Sequence, residues 1–285
     1  MCLKCRVCAA KGRGNASIPT AIFSQILPFS NLVFRLFIEV STSTLIVGYN
    51  TVFVKGGKMN LLTISWESVG KNGKADLKDV METKDLTPFD VAAEATKDYI
   101  DTWDMENGNW GKTYYYVDAP EIDPSYADTW CNDSLEPVSV EMNPGSSFWL
   151  FHVGEDIEKL GFAGQVYNAN MGYTLTQGKM NLCGNPFPTE LNLNDKSQVV
   201  IANPTSFDVA TESTKDYIDT WDLTTGNWGK TYYYVNAPEI DPSFADTWCN
   251  DSLEPVETTA IQAGAGFWYR AYGEGTTLTF TSPVK

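Results

Sequence analysis

The chain has a single histidine, His152, in 285 residues. Metal sites built from several imidazoles are excluded, and histidine-dependent catalysis would rest on one side chain. Basic residues are also scarce, with 20 Lys and Arg against 36 Asp and Glu and a formal charge of -16. Such a surface repels phosphate backbones and argues against a nucleic-acid partner. No glycine-rich loop follows a strand pattern and opens a helix, so no phosphate-binding or other cofactor site is indicated. Long unbroken apolar runs are missing too. Stretch 14–34 is uncharged but interrupted by Pro19 and Pro28, so no stable transmembrane anchor is expected. What is present is 43% hydrophobic residues, enough to build cores and to exclude a mostly disordered chain. The length suits two domains.

Charge is unevenly placed. Residues 1–40 carry Lys4, Arg6, Lys11, Arg13 and Arg35 against Glu39 alone, whereas the remainder is strongly acidic. A basic start followed by an uncharged run reads as an export leader over 1–43, with a misassigned start or an ordered part of the fold as the alternatives. Cys2, Cys5 and Cys8 have a metal-type spacing but no visible fourth ligand, so no metal site is expected.

The acidic body is a duplication. Residues 89–137 align with 207–255 at a shift of 118, and 42 of these 49 positions are identical. Gly57-Lys58-Met59-Asn60-Leu61 returns as Gly178-Lys179-Met180-Asn181-Leu182, and Phe148-Trp149 as Phe267-Trp268. A period of this size means tandem domains, 44–165 and 166–285, rather than a solenoid. The middle is nearly unchanged while the flanks differ. Gene conversion explains that, and so does a shared surface requirement. Lys97, Asp98, Lys112 and Asn132 lie in the unchanged part, and a core does not require them.

Strand-like runs recur between Gly, Pro and Asn turns, at 45–54, 60–66, 99–103, 110–117, 147–153, 160–166, 232–235, 266–272 and 276–281. Helical patterns are short, at 76–84 and 90–97. The expected fold is mostly β, two tandem β-sandwich-like domains with short helices.

The segments Asn143-Pro144-Gly145-Ser146-Ser147-Phe148-Trp149-Leu150, Gly161-Phe162-Ala163-Gly164-Gln165-Val166 and Gly184-Asn185-Pro186-Phe187-Pro188 resemble a family of secreted bacterial surface proteins with tandem β-rich repeats. The resemblance spans most of 44–285 and implies a secreted or cell-surface location and a non-enzymatic structural role. Members often end in a hydrophobic sorting anchor. This chain ends in Ser282-Pro283-Val284-Lys285, which implies release or non-covalent retention.

Candidate contact residues come from Trp110-Gly111-Lys112-Thr113-Tyr114-Tyr115-Tyr116 and its copy at 228–234. On a strand Trp110, Lys112, Tyr114 and Tyr116 share one face, as do Trp228, Lys230, Tyr232 and Tyr234. Ordinary packing, a protein contact and a sugar-stacking platform all fit such a strip. Repetition favours an adhesive or self-assembling role, with contacts between chains extending into filaments through a heterologous interface. An extracellular polysaccharide is the alternative partner. A glycan-active enzyme using a carboxylate pair is a third reading, although no catalytic residue can be named. Cys131 and Cys249 occupy equivalent positions and read as buried free thiols, with a disulfide within or between chains as the alternative. Asp101, Asp104, Glu106 and Asn109 superficially suggest a calcium loop, but the helix-loop-helix pattern is absent.

Overall fold

The computed structural model describes residues 36–40, 43–71, 73–90, 97–208 and 215–283. Most of the leader, with Cys2, Cys5 and Cys8, and most of the expected helix at 90–97 lie outside them. The protein is mostly β, in several antiparallel sheets. In the first repeat the strands are β1 (Leu36–Val40), β2 (Ser43–Val54), β3 (Lys58–Thr63), β4 (Ala75–Asp76), β5 (Tyr99–Asp104), β6 (Asn109–Val117), β7 (Thr129–Cys131), β8 (Pro137–Val138), β9 (Glu141–Met142), β10 (Ser147–His152) and β11 (Ile157–Gln165). The second has β12 (Met171–Thr174), β13 (Met180–Gly184), β14 (Leu191–Asn192), β15 (Val199–Ala202), β16 (Tyr217–Asp222), β17 (Asn227–Val235), β18 (Thr247–Cys249), β19 (Ala260–Ile261), β20 (Gly266–Arg270) and β21 (Thr277–Phe280).

The main sheets match. One runs β3-β10-β5-β6-β7-β8 and the other β13-β20-β16-β17-β18, so equivalent strands hold equivalent places. Smaller sheets accompany them, β1-β2-β11 and β4-β9 in the first repeat, β12-β21-β15 and β14-β19 in the second. The boundary expected at 43/44 falls within β2, where Ser43 pairs with Val40 and Thr44 with Glu39 of β1. Among the described residues no helix is long and apolar enough to cross a membrane.

The repeated Gly-Lys-Met-Asn-Leu motif is a turn with its own brace. Gly57 and Gly178 adopt φ of +66° and +70°, where a side chain would be strained. Asn60 accepts from the Lys55 amide at 2.8 Å and donates to the Lys55 and Lys58 carbonyls, and Asn181 does the same with Thr176 and Lys179. Both asparagines are fully buried, so these bonds offset their desolvation.

The expected helix at 76–84 is a single turn, Leu77–Val80. Asp76 caps it by accepting from the Lys78 amide. The chain then becomes extended because Met81 bridges to Phe162 and the Glu82 amide donates to the Gly161 carbonyl. Sheet pairing outweighs the helical pattern there.

The two repeats meet through tryptophan. Trp103 packs edge-on against Trp268 at 4.6 Å, and Trp149 against Trp221 at 4.7 Å. Trp103 corresponds to Trp221 and Trp149 to Trp268, so the contacts are reciprocal. Leu61 and its equivalent Leu182 complete this cluster. A Cβ on Gly108 would meet the Lys179 side chain, and one on the equivalent Gly226 would meet Lys55 and Lys58, the latter the counterpart of Lys179. This is the pattern of an isologous, two-fold contact formed within one chain.

Symmetry is broken near the centre of the contact. Thr63 Oγ1 and Ser147 Oγ lie 2.6 Å apart, and Ser147 donates to the Cys183 carbonyl at 2.8 Å. Their equivalents are Gly184 and Gly266. A Cβ on Gly184 would stand 2.1 Å from Thr63 Oγ1, and one on Gly266 2.8 Å from Ser147 Oγ. One repeat fills the space that the other leaves open, so neither position can carry a side chain in both copies.

Candidate functional site

Of the four polar residues that drew attention in the unchanged segment, three are used internally. Lys97 lies over the rings of Phe89 and Tyr115 at 4.4 and 4.5 Å, and Lys215 over Phe207 and Tyr233 at 4.2 and 4.6 Å. Asn132 folds its own loop, accepting from the Ser134 and Glu136 amides at 3.0 Å, as Asn250 does from Ser252 and Glu254.

Asp98 is fully buried and accepts from the Thr87 and Val153 amides. Its other partner is His152, whose Nδ1 is 2.6 Å away and whose Nε2 is 2.7 Å from the Glu155 carbonyl. Both ring nitrogens face acceptors, which favours the doubly protonated imidazolium. Burial alone lowers the imidazole pKa, but the hydrogen bond and charge of Asp98, with the Glu155 carbonyl, outweigh it and leave the pKa raised. In the second repeat Asp216 is held by the Tyr272 amide at 2.7 Å and the Tyr269 hydroxyl at 2.9 Å. Burial raises its pKa, and these donors oppose that. Tyr269 corresponds to Leu150 and Ala271 to His152. The donor has moved two residues along the same strand face, and the carboxylate is served in both. His152 is thus a structural partner.

Lys112 is the fourth residue, and its ammonium makes no hydrogen bond or ion pair among the described residues. Lys230 is alike. A bulge places them: the β5–β6 register shifts between Asp101 and Trp103, and Thr102 turns its hydroxyl onto the opposite strand. Thr102 Oγ1 accepts from the Lys112 amide at 2.8 Å and donates to its carbonyl at 3.0 Å, with Thr220 and Lys230 repeating both distances. A Cβ on Gly111 or Gly229 would stand 2.6 Å from that hydroxyl. Glycine between the Trp and the Lys is therefore required. Gly111→Ala is expected to destabilise by about 1–3 kcal/mol through overpacking, read from chemical denaturation, and Thr102→Ala in the same chain to restore part of it.

The aromatic strip differs from the continuous exposed platform that alternation suggests. Trp110 and Trp228 are each 57% exposed and rest edge-on against Trp103 and Trp221 at 5.5 and 5.3 Å. Tyr114 is half-buried, while Tyr116, Tyr232 and Tyr234 are in the core. Tyr116 and Tyr234 donate to Asp128 and Asp246. The four residues do not share one face. The register shift puts an extra residue into β6 and β17, so Trp110 and Trp228 lie on the side of their partners Trp103 and Trp221, while Tyr114 and Tyr232 pair with Ile100 and Ile218 on the other, leaving Trp110 with Lys112 and Trp228 with Lys230 exposed.

A cleft of about 520 Å³ opens beside Lys112, between the β5–β6 hairpin and the β4–β9 ribbon. Trp103, Asp104, Lys112 and Tyr114 line it with Glu141 and Asn143. A hollow of about 260 Å³ beside Lys230 is bordered by Asp219, Trp228 and Thr231, whose first-repeat equivalents Asp101, Trp110 and Thr113 do not line the first cleft. Asp104 accepts from the Glu106 and Asn107 amides and the Asn107 side chain, which hold its carboxyl below the usual range. The calcium-loop resemblance of this turn reflects that brace. Glu141 pairs with Lys74 at 2.9 Å, which likewise lowers its pKa.

Cys131 and Cys249 are free, buried thiols in separate clusters and form no disulfide with each other. Burial raises the Cys131 pKa and pushes Cys249 up to about 11. Cys183 is raised further by complete burial. All three are expected to resist alkylation in the native protein and to react fully in denaturant, as mapped by peptide mass.

Comparison with protein-family models, curated proteins and solved structures finds no match to this chain.

Proposed function

We propose that the chain is a non-enzymatic, exported protein of the cell surface or extracellular matrix, built as two tandem β-sandwich-like units behind a leader. The supporting observation is the fate of the repeated polar residues. Lys97, Asp98 and Asn132 serve the fold, while Trp110 and Lys112, with Trp228 and Lys230, face outward in both copies. One body with two such patches adheres through avidity rather than chemistry. The resemblance to secreted surface proteins points the same way.

The charge state of the cleft acids supports a non-catalytic reading. A glycosidase needs one carboxyl with a raised pKa as proton donor. Asp104 and Glu141 are both held low. Filament growth needs a different route from the one first drawn. The contact between repeats is reciprocal and closes on itself, so chains can extend through it only by exchanging halves. Binding to extracellular polysaccharide is the second reading, favoured by an exposed tryptophan next to a cleft.

Fractionation of native producing cells tests the proposal. The wild-type protein is expected with the surface or matrix material. Trp110→Ala with Trp228→Ala is expected to shift it to the soluble extracellular fraction. A cytosolic wild-type protein would overturn the reading.

A further inference from the structure

We infer that the cleft beside Lys112 is a subsite for an uncharged pyranose residue of a polysaccharide, and that the hollow beside Lys230, built from other residues, is not a copy of it. This rests on the adhesive reading above and gives it a ligand class. The first cleft, about 520 Å³, falls within the range of roughly 300–1,000 Å³ in which small-molecule sites occur, and the second, about 260 Å³, falls below it.

The lining chemistry matches a sugar. Tyr114 supplies aromatic wall against which a pyranose C–H face can pack, while the Trp103 ring is turned to the other side of the sheet, against Trp110 and Trp268. The Tyr114 hydroxyl, the Asn143 amide and the Lys112 ammonium make no hydrogen bond among the described residues, so three donors stand open in one cleft. Asp104, held ionised, adds an acceptor. A ring hydroxyl both donates and accepts, and so satisfies ammonium and carboxylate together.

Charge decides the kind of sugar. Lys74 and Glu141 neutralise each other at 2.9 Å. The remaining cleft charges are one cation, Lys112, and one anion, Asp104. A locally balanced site in a chain of net charge -16 repels a polyanion and accepts a neutral polymer. In the second repeat Tyr232, the equivalent of Tyr114, is buried in the core and does not border the hollow beside Lys230.

Affinity electrophoresis of the full chain tests this, in gels containing neutral polymers (β-glucan, xylan, mannan) or acidic ones (alginate, polygalacturonate). Retardation by at least one neutral polymer is expected. Tyr114→Phe and Lys112→Ala should each weaken it about tenfold, while Lys230→Ala weakens it less than about threefold. Tyr114→Phe removes only a hydroxyl, and an unchanged circular dichroism spectrum separates lost binding from lost folding. Retardation by acidic polymers alone would overturn the inference, as would full binding by both first-cleft variants, or no retardation in any gel. Surface retention lost in the double tryptophan variant, with no polymer bound here, would leave the adhesive reading standing and remove this one.

Discussion

His152→Ala is expected to destabilise the protein by about 3–5 kcal/mol, the usual consequence of removing one partner from a buried ion pair. Asp98 would remain fully buried with its two amide donors but without its cation. The second repeat suggests the rescue. There a tyrosine two residues earlier on the strand serves the equivalent carboxylate. Leu150→Tyr combined with His152→Ala transplants that arrangement and should recover most of the loss. The pair also sets a pH dependence. The imidazole pKa is raised in the fold, so its stabilisation is fully present below about pH 6.5, the unfolded value, and fades as pH rises through the folded one. The charged neighbours are Asp98 and Asp156, the latter paired with Lys55 at 2.6 Å. Urea midpoints at pH 6 and pH 9 should therefore differ more in the wild type than in the double variant. A pH-flat wild type with a harmless His152→Ala would contradict the assignment.

Trp149→Ala should cost a similar amount, about 3–5 kcal/mol, because a large core ring would be replaced by a cavity. Trp149 is 5% exposed and touches both Trp221 and Trp228 across the repeats. The loss falls on the contact between repeats as well as on the first repeat, so cooperativity should suffer too. Scanning calorimetry of the wild type is expected to show one transition, and of the variant two that are partly separated. The same substitution at Trp268, its equivalent, should behave alike. A variant that melts as one unit with unchanged midpoint would mean that the tryptophan contact contributes nothing.

Much of this architecture was legible in the chain. Turn chemistry and alternation placed the β5–β6 hairpin, and the repeat aligned each strand of one main sheet with its counterpart. The outward Trp-Gly-Lys motif was visible as well. Its extent was not, because simple alternation puts Trp110, Tyr114 and Tyr116 on one face, whereas the extra residue in β6 after Trp110 turns Tyr114 and Tyr116 to the other. The single helical turn at Leu77–Val80 was overestimated for a related reason, since the pairing of Met81 with Phe162 is non-local. The uneven divergence of the repeats becomes intelligible only in three dimensions. Thr63 against Gly184 and Ser147 against Gly266 differ because they meet near the centre of the contact. Leu150 and His152 differ from Tyr269 and Ala271 because one buried carboxylate can be served from either position. The middle segment has no such liberty. Lys97 and Lys215 are clasped by rings, Asn132 and Asn250 close their own loops, and Gly111 and Gly229 face a threonine hydroxyl.

The claim on which the rest depends is that the duplicated halves close on each other through matched tryptophans. A double-mutant cycle between Trp149 and Trp221 measures that contact directly. A coupling energy on the order of 0.5–1.5 kcal/mol is predicted for rings packed edge-on at 4.7 Å. Strictly additive effects of the two substitutions would contradict it.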